Sequence, residues 1–347
     1  MLSTRTCAGA LRVAALTQGA SVPSTRFRVQ QHIDALAKLA VETVHLTARY
    51  GAYPPAGVLR RMAWLPLAVA DAGRRAWQAN DSDVCLLQRE LVSTLDTAER
   101  LIRRPIAFDV DDAIFLHRRG ESIDAIARRA TLVICGNSFL ADHYSRLGAV
   151  EILPTAVDTA RFVPALTVPD RPVIGWSGSS SGFGYLESIQ DALRIVLERF
   201  PEAVFSVIAD VEPRLPQLPA AQVRFTPWSA DTEVTGLQSF AVGIMPLSDT
   251  PWSRGKCSFK MLTYMAAGLP VVVSPVGMNR EVLALGDCGF AATSRDDWVD
   301  ALSIVLREQE RSRAMGAIGR RIVENHFSRD VIAPRLAMLL QRVGESR

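Results

Sequence analysis

Short apolar runs alternate with stretches of helical spacing along nearly the whole chain, and after a Pro-rich interruption the series begins again. The first series comprises LRVAAL, VETVHLT, DVCLLQ, PIAFDV, TLVICG and VEILP, between Leu11 and about Val163. Runs that are apolar at consecutive positions, not at every second one, are what strands covered on both faces require. Between them lie segments such as RVQQHIDALAKLA, where Val29, Ile33, Leu36 and Ala40 recur at helical intervals. Alternation of this kind builds a parallel sheet with helices on both sides.

The polar bridge TVPDRP, residues 167–172, is the most linker-like stretch. Beyond it come VIGWSG, AVFSVIA, VRFTPW, AVGIMPL and LPVVVSP, with an amphipathic helix on Ile189, Leu193, Val196, Leu197 and Phe200. From Asp296 onward the pattern is almost wholly helical. The expected fold is therefore α/β, with two doubly wound Rossmann-like domains, residues 1–166 and 167–347, facing a central cleft. The last helix is free to pack back on the first domain. A chain of 347 residues suits two domains of ordinary size.

Composition narrows the function classes. Hydrophobic residues at 48% with 22% charged describe a soluble globular chain. A formal charge of +3 gives no reason to expect a nucleic-acid partner. The cysteines at 7, 85, 135, 257 and 288 are odd in number and never form C-x-x-C, which argues for a reducing compartment and against a zinc site. No apolar run is long enough to span a bilayer. The opening MLSTRTCAGALRVAALTQGA reads as leading into a buried strand and not as a signal peptide. The segment RRMAWLPLAVADAGRRAW, Arg60 to Trp77, is expected to pack as a core connector with snorkelling arginines, and Pro66 to weaken a long continuous helix. The other reading of this segment is an element resting on a membrane.

The stretch PWSRGKCSFKMLTYMAAGLPVVVSP, from Pro251, carries the clearest chemistry. The chain has three lysines against 36 arginines, yet Lys256 and Lys260 fall close together here, beside Arg254. A helix expected to begin near Gly255 or Lys256 would place these cations where the macrodipole disfavours them. A diphosphate over the helix start, at the carboxyl end of a parallel strand, would reverse that penalty. The alternative is a solvated basic turn paired with Asp249 or Glu281.

VGIMPLSDTPWSRGKCSFKMLTYMAAGLPVVVSPVGMNREVL resembles the donor-binding region of the group 1 (family 4) glycosyltransferases of the GT-B fold. PSTRFRVQQHIDAL, FDVDDAIF, ICGNSFLADHY, ILPTAVDTARF and VIGWSGSSSGFGYLESI extend the likeness over most of the chain. The resemblance implies a nucleotide-sugar donor held mainly by the second domain and an acceptor held mainly by the first. It also implies transfer without an obligatory metal or other cofactor, usually with retention at the anomeric carbon. Basic residues stabilise the departing diphosphate in such enzymes, a role that suits Lys256 and Lys260, with Arg254 in support. Two family glutamates are replaced by Gly255 and Thr263, and an Arg and Lys usual after the first strand of the second domain are missing from GWSGSSSGFG. The chain thus looks like a divergent branch.

Further donor-binding candidates are Gly178 and Ser179 in GSSSGFG, and Gly277, Met278, Asn279 and Glu281 in PVGMNREV, with Thr263 at the second glutamate position. Small residues after a strand let backbone approach phosphate or sugar. GSSSGFG is not G-x-G-x-x-G, so a NAD site is not indicated. On the acceptor side stand Ser24, Arg26 and Arg28, with Asp111 and Asp112 in DVDDAIF. The pair Asp109 and Asp111 makes a D-x-D, but the metal-binding use of that motif belongs to a different transferase fold, so no metal is expected. His117 lies nearby. Arg89 and Glu90 end another strand. No Walker loop, H-E-x-x-H or Ser-His-Asp order is present.

The sequence thus leads to a cytoplasmic hexosyltransferase type of enzyme. It would use a nucleotide-sugar donor and a glycan, lipid-linked or small-molecule acceptor, with peripheral contact at the inner face of the membrane left open. A non-catalytic sugar-binding or scaffold protein and a GT-B sugar-nucleotide epimerase are the rival readings.

Overall fold

Two six-stranded, wholly parallel sheets make up the computed structural model, which describes residues 9–20, 22–93, 95, 98–117, 120–166 and 171–346. In the first sheet the strands are β1 (Leu11–Thr17), β2 (Val41–Thr47), β3 (Val84–Gln88), β4 (Ile106–Val110), β5 (Leu132–Cys135) and β6 (Val150–Ile152), in spatial order β2-β1-β3-β4-β5-β6. The second contains β7 (Val173–Ser177), β8 (Val204–Ala209), β9 (Val223–Pro227), β10 (Val242–Met245), β11 (Val271–Val273) and β12 (Gly289–Ala291), in order β12-β11-β10-β7-β8-β9. In each sheet the chain builds outward from the first strand in one direction and then returns to build in the other. The order therefore reverses beside the first strand, which is the doubly wound pattern.

The eleven apolar runs all become strands. Complete burial of β3, β4, β5, β8, β10 and β11 explains why they read as continuous apolar runs. The short strand β12 was not anticipated. It has three residues and opens on Gly289, where a Cβ would lie 2.0 Å from the Val271 carbonyl oxygen, so only glycine allows it to approach β11.

The chain divides into two units, one formed by residues up to Ala156 together with those from Arg329 onward, the other by Val157–Ser328. At the division Val157 N–H donates to the Phe327 carbonyl at 2.8 Å and bridges Ser328, so the outgoing and returning chain lie side by side. The bridge at residues 167–172 therefore falls inside the second unit, and its residues 167–170 lie outside the described residues, as do Met1–Ala8 with Cys7. The helix Arg329–Glu345 contributes Ile332, Leu336, Leu340 and Val343 to the core of the first unit. The four described cysteines are free and buried.

One expectation fails in an instructive way. The segment expected to be a core connector is a continuous helix, Val58–Gln78, with Pro66 inside it. Pro66 is tolerated because the turn it disturbs is exposed, so water can satisfy the Met62 carbonyl that proline leaves unpaired. Only the second half of the helix packs. Arg75, 1% exposed, binds Asp71 at 3.0 Å and donates to the Thr17 carbonyl at 3.1 Å, so it is a buried anchor and does not snorkel.

Candidate functional site

In the second unit, the carboxyl end of β7 and the helix Phe259–Ala266 meet at Lys260. Gly178 follows β7, and its N–H donates to the Ile208 carbonyl at 3.0 Å. A Cβ there would stand 2.4 Å from Lys260 Cε and 2.7 Å from the Trp176 ring. Glycine is needed at 178 for space, not for backbone conformation. The Lys260 ammonium lies 5.6 Å from the Trp176 ring centroid, within reach of the ring's negative face. Tyr264, one turn on, accepts the Ser177 N–H at 2.8 Å and fixes the helix against the strand end.

The loop after Gly178 is latched at its other side. Ser180 donates both its N–H (2.6 Å) and its hydroxyl (2.8 Å) to Asp210, which follows β8. Desolvation acts upward on the Asp210 pKa, but the Ser180 bonds outweigh it and hold the carboxylate below its ordinary value. Ser179 pairs with Ser181 at 2.7 Å.

The loops after β10 and β11 form the facing wall. Thr250 caps a short helix, Pro251–Arg254, by accepting the Ser253 N–H, and Ser253 in turn pairs with Tyr185 at 2.9 Å. Arg254 forks onto Asp249 at 2.7 and 3.1 Å, and these bonds draw the Asp249 pKa down. Ser258 adopts φ +51, and its hydroxyl donates to Asn279 Oδ1 at 2.6 Å while Asn279 Nδ2 donates to the Ser274 carbonyl at 3.0 Å. Gly277 has φ +53, and a Cβ there would meet the Arg254 carbonyl at 2.6 Å. Asn279, fully buried, thus ties one loop to the other.

These contacts correct the sequence reading in three respects. The helix starts at Phe259, because the left-handed Ser258 breaks the chain direction, so Lys256 precedes it and only Lys260 stands in its first turn. Arg254 is half-exposed and paired with Asp249, the alternative that had been weighed against a phosphate role. Thr263, Met278 and Asn279 are buried, with the Thr263 hydroxyl turned back onto the Lys260 carbonyl at 2.8 Å. Lys256 lies 5.3 Å from the Trp252 ring centroid, and Glu281 is exposed.

Sequence reasoning missed a cavity of about 440 Å³ at the carboxyl ends of β10, β11 and β12. Its walls include Asp249, Ser274, Arg280, Arg295 and Trp298, and Ser188, Ile189, Asp191 and Ala192 close it from the β7–β8 crossover. It therefore opens where the order reverses between β7 and β10. Neither lysine lines it. Its residues come from four separated segments, of which only PVGMNREV, through Pro275, Val276 and Arg280, stands out in the sequence.

In the first unit the acceptor candidates divide. Arg28 is buried and gives its guanidinium to Asp109 and to the Leu153 carbonyl (2.8 Å), so it holds β4 to the end of β6. Arg26 lies over the Phe27 ring at 4.6 Å, and the Ser24 hydroxyl is buried with no partner among the described residues. Asp111 and Asp112 each bind Arg89 at 2.6 Å, and Arg89 also reaches the Tyr53 hydroxyl at 3.3 Å. Burial acts downward on the Arg89 pKa, but Asp111 and Asp112 overcome it and raise it well above the ordinary value. Arg89 has φ +58, a conformation a non-glycine residue keeps only where its surroundings enforce it. Beside it Gln88 Oε1 and Glu90 Oε2 are buried without partners among the described residues. Among the described residues no cluster of three His, Cys, Asp or Glu side chains could hold a metal.

The two parallel sheets and their similarity to solved structures define the GT-B fold. Sucrose-phosphate synthase from Thermosynechococcus elongatus superposes with a TM-score of 0.74 at 14% identity, over 97% of this chain and 100% of that one. HepE of Anabaena, in complex with UDP and glucose, gives 0.69 at 15% identity over 94% and 99%. An E. coli structure described as trehalose-6-phosphate bound with UDP-2-fluoro glucose gives 0.67 at 12% over 95% and 98%. No curated protein sequence matches the chain. Residues 171–308, within the second unit, match the family model of glycosyl transferases group 1.

Proposed function

We propose that the chain transfers a hexose from a uridine diphosphate donor to a hydroxyl-bearing acceptor, with retention and without a metal in the transfer step. The observation that carries the reading is the corner where Lys260 crosses Gly178 at the end of β7, next to the reversal point of the second sheet. Here a phosphate meets the ammonium and the backbone of a loop with no side chain at 178. Lys256, in the loop before the helix, adds a second positive charge. Stabilising the charge that grows on the departing phosphate lowers the barrier directly. The bond from the anomeric carbon to the β-phosphate oxygen breaks as the acceptor oxygen bonds to the same carbon, and the acceptor proton leaves with the phosphate.

UDP is favoured because HepE is described with UDP and with UDP-glucose. The cavity beside Asp249 and Arg280 offers room for the rest of the donor. In the first unit, the partly exposed Asp111 and Asp112, beside Arg89, are carboxylates suited to the donating hydroxyls of a glycan, lipid-linked or small sugar. The reading places the enzyme in the cytoplasm, in peripheral contact with the membrane's inner face. No helix among the described residues is long and apolar enough to cross a membrane.

A thermal-shift comparison of UDP, GDP, ADP and dTDP tests the donor. UDP should stabilise the chain most, and UDP-hexose turnover should then depend on an added acceptor. Equal indifference to all four nucleotides would remove the reading.

A further inference from the structure

The cavity of about 440 Å³ at the carboxyl ends of β10, β11 and β12 has the size of a small-molecule site, for which roughly 300–1,000 Å³ is usual. Trp298, 2% exposed, lies in its wall, and Ser248 and Thr293 contribute hydroxyls to the lining. An aromatic ring, hydroxyls and charged side chains together suit a single sugar ring. The cavity also adjoins the lysine corner. Ser258, the residue before the helix that carries Lys260, donates its hydroxyl to Asn279 at 2.6 Å, and Arg280 follows Asn279.

The charges of the cavity are not equivalent. Its ionised lining residues are Asp191, Asp249, Arg280 and Arg295. Asp249 is forked by Arg254 at 2.7 and 3.1 Å, Asp191 faces Arg194 at 3.6 Å, and Arg295 pairs with Asp296 at 3.0 Å. Each of these three is compensated by a residue outside the lining. Arg280 has no carboxylate partner among the described residues, and its Nε donates to the Pro275 carbonyl at 3.0 Å. That bond fixes the guanidinium plane and leaves Nη1 and Nη2 for a ligand. Two N–H groups of an anchored guanidinium match the two oxygens of a carboxylate.

Neither lysine lines the cavity, so a diphosphate held at the Lys260 corner leaves Arg280 without a counter-charge. A neutral hexose would leave it so as well. A hexose oxidised to the acid at its sixth carbon would supply the missing anion.

We propose that Arg280 is a specificity-determining residue for a hexuronic acid donor, its guanidinium binding the sugar carboxylate in this cavity while the diphosphate lies at Lys260 and Gly178. The carboxylate takes no part in the transfer and serves only to select the donor. This rests on the donor reading above and narrows its hexose to an acidic one.

The test is calorimetric titration of the full chain, as parent and as Arg280→Gln, with UDP, UDP-glucose and UDP-glucuronate. The parent chain should bind UDP-glucuronate at least about tenfold more tightly than UDP-glucose, the scale of one charge-assisted hydrogen bond. Arg280→Gln should erase that preference, with UDP and UDP-glucose bound within about twofold of the parent values. Arg280 is exposed, and retained UDP binding shows that the variant folds. A parent chain that binds UDP but does not discriminate the two sugars would overturn the proposal and leave the transferase reading standing. Equal losses for all three ligands in Arg280→Gln would overturn it too, assigning Arg280 to the diphosphate. Binding of none of the three by the parent chain would end the donor reading, and this proposal with it.

Discussion

Lys260 lies across Gly178, its Cε 2.4 Å from the point a β-carbon on residue 178 would occupy. The relation joins the loop after the first strand of the second sheet to the helix after β10, so one substitution on either side moves the other. Gly178→Ala should push the lysine stem aside and weaken UDP binding by about tenfold, an effect on the scale of one charge-assisted hydrogen bond. Far-ultraviolet circular dichroism should be unchanged. Calorimetric titration measures the first, and unchanged affinity would separate the loop from the nucleotide.

Asn279 ties the loop before the helix to the loop after β11, through Ser258 and the Ser274 carbonyl. Asn279→Ala leaves a buried hydroxyl and a carbonyl unpaired and should cost about 2–4 kcal/mol. Denaturant unfolding gives the number. Because Lys256 sits in the loop so released, UDP affinity should fall as well.

Arg28 and Asp109 form a buried pair 81 positions apart in sequence. Arg28→Met should destabilise the first unit by about 3–5 kcal/mol, since it strands a carboxylate, whereas replacing both partners by apolar residues should restore much of the loss. A double-mutant cycle by chemical unfolding checks this. A mild effect of the single change would return Arg28 to the list of acceptor contacts.

His32 is buried, and desolvation, then Arg28 and Arg329, lower its pKa to about 3. The unfolded chain therefore binds a proton below about pH 6.5 that the folded chain refuses, so stability falls as pH falls. Between about pH 7 and pH 5 this group alone should remove about 2 kcal/mol. The difference in slope between the parent chain and His32→Gln isolates it. Parallel slopes would mean that His32 is protonated in the fold.

The strands and the doubled architecture were legible because parallel strands buried on both faces write themselves as apolar runs. What escaped has physical reasons. Ser258 is not a residue whose sequence announces a left-handed backbone, so the helix start was placed too early and Lys256 was drawn into it. Arg28 and Arg89 found carboxylates through the folded sheet, and neither pairing leaves a local pattern. The apolar segment around Met62 was assigned to the core because hydrophobicity gives no sign of which side chains the fold leaves uncovered. Gly178 and Lys260 were each singled out separately, but their contact exists only in three dimensions.

The most direct measurement compares UDP with uridine by calorimetric titration, in the parent chain and in Lys260→Ala. If the ammonium over Gly178 holds the diphosphate, the parent chain should prefer UDP strongly, and the variant should lose at least about tenfold of that preference while its uridine affinity stays put. An unchanged UDP-to-uridine ratio would show that the phosphates bind elsewhere on the chain.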